Sequence, residues 1–334
     1  MTMAIIRDMI PGFDLFQPAN VEDAVDLLGR HGEDAWVMAG GLDSFDWFKD
    51  RIKRPKAVIE LGGIPELQGL RTTEDGGVEI GAMTPLTAVA ADPGLQERFS
   101  LLTDAAGLVA TPQIRNQGTL GGNLCQDTRC WYYRGGWPCY RAGGNTCYAS
   151  APEAMNREHC VLGASRCVAV NPSDTAPAVV ALDAQMVIRD RRGERVVDAE
   201  DFFIGPALDI TRMTVLEPGD LLTAIRIPGT WADATFYFEK VSDRAAWDFA
   251  LVSVASALKV EGGRIDQARV VVNGVAPYPM RLSDVERAVE GQQQIEAVAA
   301  NAGAMAVHRA RPLRHNDYKV PLMRNLVRRA LREA

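Results

Sequence analysis

The chain has 334 residues, enough for two or three domains, each with its own core. It is 47% hydrophobic and 24% charged, with a net charge of −7; that composition is ordinary for a globular protein and excludes a broad phosphate-binding surface, and so a nucleic-acid partner. No run approaches the roughly 18 apolar residues of a membrane span, and Met1 to Phe16 holds one Arg, no long apolar stretch and no twin-Arg pair. Membrane insertion is therefore not expected, and the expected location is cytoplasmic, or periplasmic by co-export with a partner that carries the signal.

The first segment alternates helix and strand. Asn20 is a predicted N-cap, Val21, Ala24, Val25 and Leu28 form an apolar stripe, and Gly32 ends the helix. Ala35–Ala39 reads as a buried strand running into Gly40-Gly41, with further strands at Ala57–Leu61 and Val78–Ile80. Thr84 is expected to cap a helix through Ala90, which Pro93-Gly94 breaks. Leu101–Val109 is a predicted helix, and a Gly-rich stretch follows at Gly118–Asn123.

From Cys125 to Cys167 the hydrophobic period disappears, and all six cysteines fall in this segment. Disulfides that staple a domain spread more widely, so such crowding points to a metal or cluster rather than to buried thiols. A structureless loop of this length needs an organising element of its own.

Regular pattern returns with a helix at Ala176–Leu182 and a hairpin of Met186–Ile188 and Arg195–Val197 around Arg192-Gly193. Strands are predicted at Leu221–Ile227, Thr235–Val241, Phe249–Val260 and Ala268–Val275, and helices at Ser283–Glu290 and Ile295–Arg309. A last helix carries Met323, Leu326, Val327, Ala330 and Leu331 on one face, with its arginines elsewhere as a solvated face. Residues 1–62, 63–228 and 229–334 read as three successive units, with 125–167 inserted in the second.

Two motifs carry candidate chemistry. Ala39-Gly40-Gly41-Leu42-Asp43-Ser44 follows a buried strand. Consecutive glycines let amides converge on an anion such as pyrophosphate, although a Gly-Gly pair is also a common plain turn. The spacing is not G-x-G-x-x-G, so the nicotinamide fingerprint is absent. Ile114-Arg115-Asn116-Gln117-Gly118-Thr119-Leu120-Gly121-Gly122-Asn123 offers a second pair of backbone nests, a hydroxyl and an amide. Together the two motifs can clamp the two phosphates of a dinucleotide. Neither a Ser/His/Asp triad nor a carboxylate pair for hydrolysis is present.

The order A-G-G-x-D, I-R-N-Q-x-T-x-G-G-N and Asn171-Pro172-Ser173-Asp174-Thr175-Ala176-Pro177 resembles the FAD-binding medium subunit of the xanthine dehydrogenase family of molybdenum hydroxylases. Matches continue through Leu221–Pro228, Lys240, Asp248–Ala255 and Gly274-Val275-Ala276-Pro277, so the resemblance spans about Phe13 to Leu331. It implies an α/β and α+β fold: a two-part FAD-binding domain of the vanillyl-alcohol-oxidase-like type, then a C-terminal α+β domain. It also implies FAD contacts from Val37, Met38, Ala39, Gly40, Gly41, Leu42 and Asp43. A second set is Val109, Thr111, Arg115, Asn116, Thr119, Gly122 and Asn123. Asp174 is the acidic residue near FAD, with Leu222 and Lys240 flanking the flavin ring. Leu42 departs from the family, which usually has Thr there, and so a phosphate donor is missing.

The cysteines resemble those of the subtype with a 4Fe–4S insertion, as in periplasmic aldehyde oxidoreductases and 4-hydroxybenzoyl-CoA reductases. By that resemblance Cys130, Cys139, Cys147 and Cys167 hold the cluster, and Cys125 and Cys160 are buried structural thiols. A tetrahedral zinc on the same four thiols is the alternative, although C-x-x-C spacing is absent, and His159 is a further possible ligand. Arg129, Arg134, Arg141 and Arg166 can offset cluster charge, and the nearby aromatics can exclude water or simply fill space. The 2Fe–2S centres and molybdenum cofactor are then expected in small and large partner subunits, as a heterotrimer or a pair of them. A self-sufficient flavoprotein oxidoreductase of the same fold is the other functional reading.

Overall fold

A computed structural model describes residues 9–334; part of the N-terminal stretch weighed above for an export signal, and the start of the first unit, lie outside the described residues. The first sheet is parallel, in the order β1 (Asp14–Phe16), β3 (Ala57–Glu60), β2 (Ala35–Met38). The helix Val21–His31 packs on it. Asn20 Oδ1 accepts from the Asp23 amide at 2.8 Å, and Gly32 ends the helix at a φ of 53°. Alternation along β3 divides its partners. Ala57 and Ile59 pack with the helix stripe, whereas Val58 packs with Trp47, Phe48, Tyr133 and Cys139.

The second sheet is antiparallel: β4 (Leu70–Thr72), β5 (Val78–Gly81), β6 (Gln185–Asp190), β7 (Gly193–Asp198) and β8 (Leu221–Ile227), ordered β4-β5-β8-β6-β7. Short helices cover it, and three local expectations change. Thr84 caps no helix; its hydroxyl donates to the Gly69 carbonyl and accepts from the Gly69 amide. Pro93-Gly94 does not only break a helix but opens another, Pro93–Arg98, because Asp92 accepts from the Leu95 amide at 2.9 Å. The second Gly motif is not a loop but two short helices, Pro112–Gln117 and Leu120–Leu124. Thr111 and Thr119 cap them, each accepting a first-turn amide.

The third sheet is antiparallel, ordered β12 (Met280–Arg281), β11 (Arg264–Asn273), β10 (Val252–Glu261), β9 (Thr235–Val241). β10 is buried from Val252 to Leu258 because both its faces are covered there. Val252, Val254 and Leu258 meet the helices Ser283–Val289, Glu296–Ala306 and Lys319–Glu333, whereas Ala255 and Ala257 meet the core of the second sheet. It starts three residues later than predicted, which frees Phe249 to Leu251. The terminal arginines are not simply solvated: Arg328 and Arg332 pair with Glu296, and Arg329 with Glu239. No described helix is long and apolar enough to cross a membrane.

The Cys-rich segment holds only short turns, a helix at Trp131–Arg134 and 3-10 turns at Tyr140–Ala142 and Tyr148–Ser150. Buried polar side chains organise it instead. Asn316 Nδ2 donates to the carbonyls of His159 at 2.9 Å and Cys160 at 3.2 Å. Asn156 Oδ1 accepts from the His315 amide at 3.0 Å. The fully buried Lys319 donates to the carbonyls of Glu158 and Gly274. Each of these bonds replaces water lost on burial, so the C-terminal region fixes a segment that has no hydrophobic period.

Leu326→Ala should destabilise the third sheet and its helices by about 2–5 kcal/mol, the usual cost of emptying a buried leucine site. Arg332→Ala should cost less than about 1 kcal/mol, since its ion pair is half-exposed. Urea unfolding of the two variants measures the contrast.

Candidate functional site

A cleft of about 540 Å³ opens at the carboxyl end of the parallel first sheet, where open α/β sheets bind ligands. Leu61, just beyond β3, lies on its floor with the Ala39–Asp43 turn. Among the described residues, the amides of Gly40, Gly41, Leu42 and Asp43 donate to no protein acceptor. Gly41 has a φ of 75°, which a side chain disfavours. These free donors on a cleft wall fit an anionic ligand.

The two Gly motifs meet directly. A Cβ on Gly40 would lie 2.1 Å from the Gln117 carbonyl oxygen, and one on Gly121 2.8 Å from Ala82 Cβ. The second motif differs from expectation, because its amides are already used. Leu120 donates to Thr84, Gly121 to Ala82, Gly122 to Thr119 Oγ1 and Asn123 to the Thr119 carbonyl. Its glycines give close backbone packing rather than an anion nest.

Of the expected contacts, Val37, Ala39, Gly40, Gly41, Leu42, Asp43, Val109, Thr119, Gly122, Asn123, Asp174 and Leu222 line the cleft. Met38, Thr111, Arg115, Asn116 and Lys240 do not. Met38 packs against the Trp47 cluster. Thr111 is a cap, the Arg115 guanidinium donates to the Val109 carbonyl at 2.7 Å, and Asn116 accepts from the Thr87 hydroxyl. Lys240 stands behind Asp174, donating to its Oδ2 at 2.6 Å and to the Leu108 carbonyl at 3.0 Å.

Asp174 is buried, and its Oδ1 has no partner. Burial outweighs the Lys240 ammonium and raises its carboxyl to about 6. Its backbone is held by a polar knot: Ser173 and Thr175 hydroxyls both donate to Asn123 Oδ1 at 2.7 Å, and Asn273 donates to the Ser173 carbonyl. Asp43 is occupied differently. Its carboxylate accepts from the Trp47 indole at 3.0 Å, from Arg134 at 2.5 Å and from Arg129. Two guanidiniums thus offset a carboxylate that would repel an anion.

Sequence reasoning gave no site role to Trp247–Phe249, although Asp248 and Phe249 stand in a matched stretch; the segment lines the cleft together with the Gly turn. Trp247, with a φ of 68°, donates its amide to Ala110, with a φ of 43°. Left-handed non-glycine residues are uncommon, and no residue type at these positions signals the conformation. Cys125 is also on this wall and exposed, so it is not the buried structural thiol expected.

Cys130, Cys139, Cys147 and Cys167 line one second cavity, with Tyr132, Tyr133, Tyr140, Tyr148 and Arg141. None of the six cysteines forms a disulfide. Arg141 is buried, and its Nε lacks a partner. Burial pushes the Cys130 thiol up to about 11. No three Cys, His, Asp or Glu side chains among the described residues stand close enough for a single metal ion. Cys160 is not on the cavity wall; it is buried behind it against Ala149 and Val168, and burial pushes its thiol up to about 12. His159 also lies outside the cavity wall, with Nε2 3.3 Å from Cys130 Sγ. The segment therefore offers four thiols that converge on one cavity, with an unpaired guanidinium nitrogen beside them.

Fold and cleft define a dinucleotide-binding protein of mixed α/β architecture. Residues 11–230 match the FAD binding domain in molybdopterin dehydrogenase, and residues 237–334 match the CO dehydrogenase flavoprotein C-terminal domain. The chain is 32% identical to the FAD-binding subunit of an aldehyde oxidoreductase from Escherichia coli, over 96% of this chain and 97% of that one. It is 30% identical to the carbon monoxide dehydrogenase medium chain of Hydrogenophaga pseudoflava, over 97% of each. The solved carbon monoxide dehydrogenase from that organism superposes with a TM-score of 0.77 at 29% identity, over 97% of each chain. That from Oligotropha carboxidovorans gives 0.78 at 27%, over 98% of this chain and 99% of that one. The chain belongs to the FAD-binding medium subunits of the molybdenum hydroxylase family, and is an oxidoreductase subunit.

Gly40→Ala should force the Ala39–Asp43 turn off Gln117 and strip most of the flavin. Gly107→Ala, where a Cβ meets nothing within 4 Å, should keep it. Flavin absorbance per mole of purified protein measures both.

Proposed function

We propose that this chain is the electron-transfer subunit of a three-part molybdenum hydroxylase, and that Cys130, Cys139, Cys147 and Cys167 hold a 4Fe–4S cluster in addition to FAD. The observation that carries the cluster reading is the convergence of those four thiols, out of six, on one cavity. The unpaired Arg141 Nε on the same wall supports an anionic guest. A single zinc would need sulfurs within about 4 Å of one another, given Zn–S bonds of about 2.3 Å. Among the described residues no three Cys, His, Asp or Glu side chains group as a single-ion site, and a four-iron cube spaces its thiolates more widely than one ion does.

Bound FAD supplies one- and two-electron exchange, and a cluster one-electron exchange. The residues' own work is positional. Gly40–Asp43 presents free amides to a pyrophosphate. Leu222 offers an apolar surface to the flavin, and Asp174 Oδ1 offers an acceptor to a cofactor donor group. Arg129 and Arg134 join the nucleotide turn to the Cys-rich segment through Asp43, which fixes the cleft relative to the cavity. The oxidised or reduced organic substrate is handled in a large molybdenum subunit, with 2Fe–2S centres in a small one. The relatives support this assembly: those matched over nearly full length carry names such as medium chain, medium subunit or FAD-binding subunit.

Cys130→Ser, Cys139→Ser, Cys147→Ser and Cys167→Ser should each lose most of their iron, whereas Cys160→Ala should keep it with a packing loss of roughly 1–2 kcal/mol. Iron analysis and electron paramagnetic resonance after reduction separate the two groups; full iron in any of the four Ser variants counts against that ligand.

A second outcome concerns pH. Asp174 accepts through Oδ1 when ionised, so FAD affinity should fall as pH drops through about 6. For the flavin-free chain the sign is opposite. A carboxyl raised from 3.8 to about 6 on folding favours the folded state below its unfolded value, and that contribution is lost as pH rises to about 6. Flavin fluorescence titrations between pH 5 and 8 should show the dependence in the native chain and none in the Asp174→Asn, Lys240→Met double variant.

A further inference from the structure

We infer that His159 is a positioning residue that holds a proton against the sulfur of Cys130 and thereby raises the reduction potential of the iron–sulfur site. This rests on the cluster reading above and adds a residue to it. The contact is 3.3 Å from Nε2 to Sγ, within hydrogen-bond range for sulfur. The ring is buried, and its backbone is pinned on both sides: the amide donates to the Asn156 carbonyl, and the carbonyl accepts from Asn316. Nδ1 has no partner. A proton on Nε2 therefore satisfies the one polar contact the ring makes, whereas a proton only on Nδ1 would be a buried donor without an acceptor, the costlier arrangement.

His159 is not itself among the residues that enclose the cavity; it stands on the far side of Cys130. That side lies toward the FAD cleft. A smaller cavity of about 130 Å³ is walled by Cys130 and His159 at one end and shares Arg129, Asp248 and Phe249 with the FAD cleft. The Arg129 guanidinium lies 4.7 Å over the Phe249 ring. The donor thus acts on a sulfur that also borders this smaller cavity, next to the FAD cleft.

The chemistry is one electron in and no proton moved. Reduction adds one negative charge to the cluster and its thiolates, and a donor to sulfur stabilises that charge, which raises the potential. No other described group hydrogen-bonds the Cys130 sulfur from a side chain.

The test uses the full chain with its partner subunits, titrated with dithionite and followed by electron paramagnetic resonance of the reduced cluster. His159→Leu should keep its iron and shift the reduction equilibrium about tenfold toward the oxidised form, a drop of about 59 mV for a one-electron couple. His159→Gln, which keeps a donor on a side chain of similar reach, should recover most of that shift. In the native protein with 15N-labelled histidine, electron–nuclear double resonance should show a weak histidine nitrogen coupling, which needs no variant to fold. An unchanged potential in His159→Leu, or no such coupling, overturns the inference while leaving the cluster reading intact. Loss of iron from both variants overturns it in favour of a ligand or purely structural role. A native protein without iron overturns the cluster reading and this inference together.

Discussion

The Asp43 carboxylate is the junction on which both candidate centres depend. It ends the Gly-rich turn, yet its charge is taken up by Arg129 and Arg134 from the Cys-rich segment and by the Trp47 indole. Arg134 also lies 3.7 Å over the Trp47 ring, and Tyr133 and Cys139 pack in the same cluster. A partly buried charge of this kind is costly to leave alone. Removing any member strands the others, so the nucleotide turn and the thiol cavity are braced by one network. The placement of the nucleotide cleft relative to the thiol cavity is thereby braced by a carboxylate.

A second brace works from below. Asn123 ends the second Gly motif and accepts from both Ser173 and Thr175, and Asn273 on β11 holds the Ser173 carbonyl. The second and third units meet at this knot, and it presents Asp174 to the cleft with one oxygen spare. Lys240 on β9 supplies the compensating charge from the third sheet. The third sheet therefore contributes to the cleft through charge placement and through the Trp247–Phe249 segment. The left-handed Ala110 and Trp247, joined by a hydrogen bond, are strain retained at this mouth; such strain persists only where surrounding structure over-determines it, as at functional sites.

The Cys-rich segment shows how a stretch with no hydrophobic period becomes ordered. Its own turns are short, and its fixed points are supplied from a distance by Asn316, His315 and Lys319. Buried polar bonds specify position more sharply than apolar contact, because each donor has few acceptable acceptors. That precision suits thiols that must converge on one void.

Local rules were enough for the elements. The Asn20 cap, the Val21–Leu28 stripe, the hairpin at Arg192-Gly193 and the buried face of the last helix are each set by residues within a few positions of one another, and the motif order was enough for the family. Crowding of six cysteines singled out their segment, and the resemblance separated the four that share a cavity. Tertiary structure alone decided the rest. It made the second Gly motif a packing surface, because Gln117 and Ala82 come within reach of Gly40 and Gly121. It moved Arg115, Asn116 and Lys240 off the cleft wall, because their donors and acceptors found partners nearer to hand. It brought Trp247 and Phe249 onto that wall, and His159 onto Cys130. Those outcomes hinge on which of several nearby partners a polar group meets once the chain is compact, and on backbones approaching from far along the sequence. Neither is encoded in any local pattern of residues.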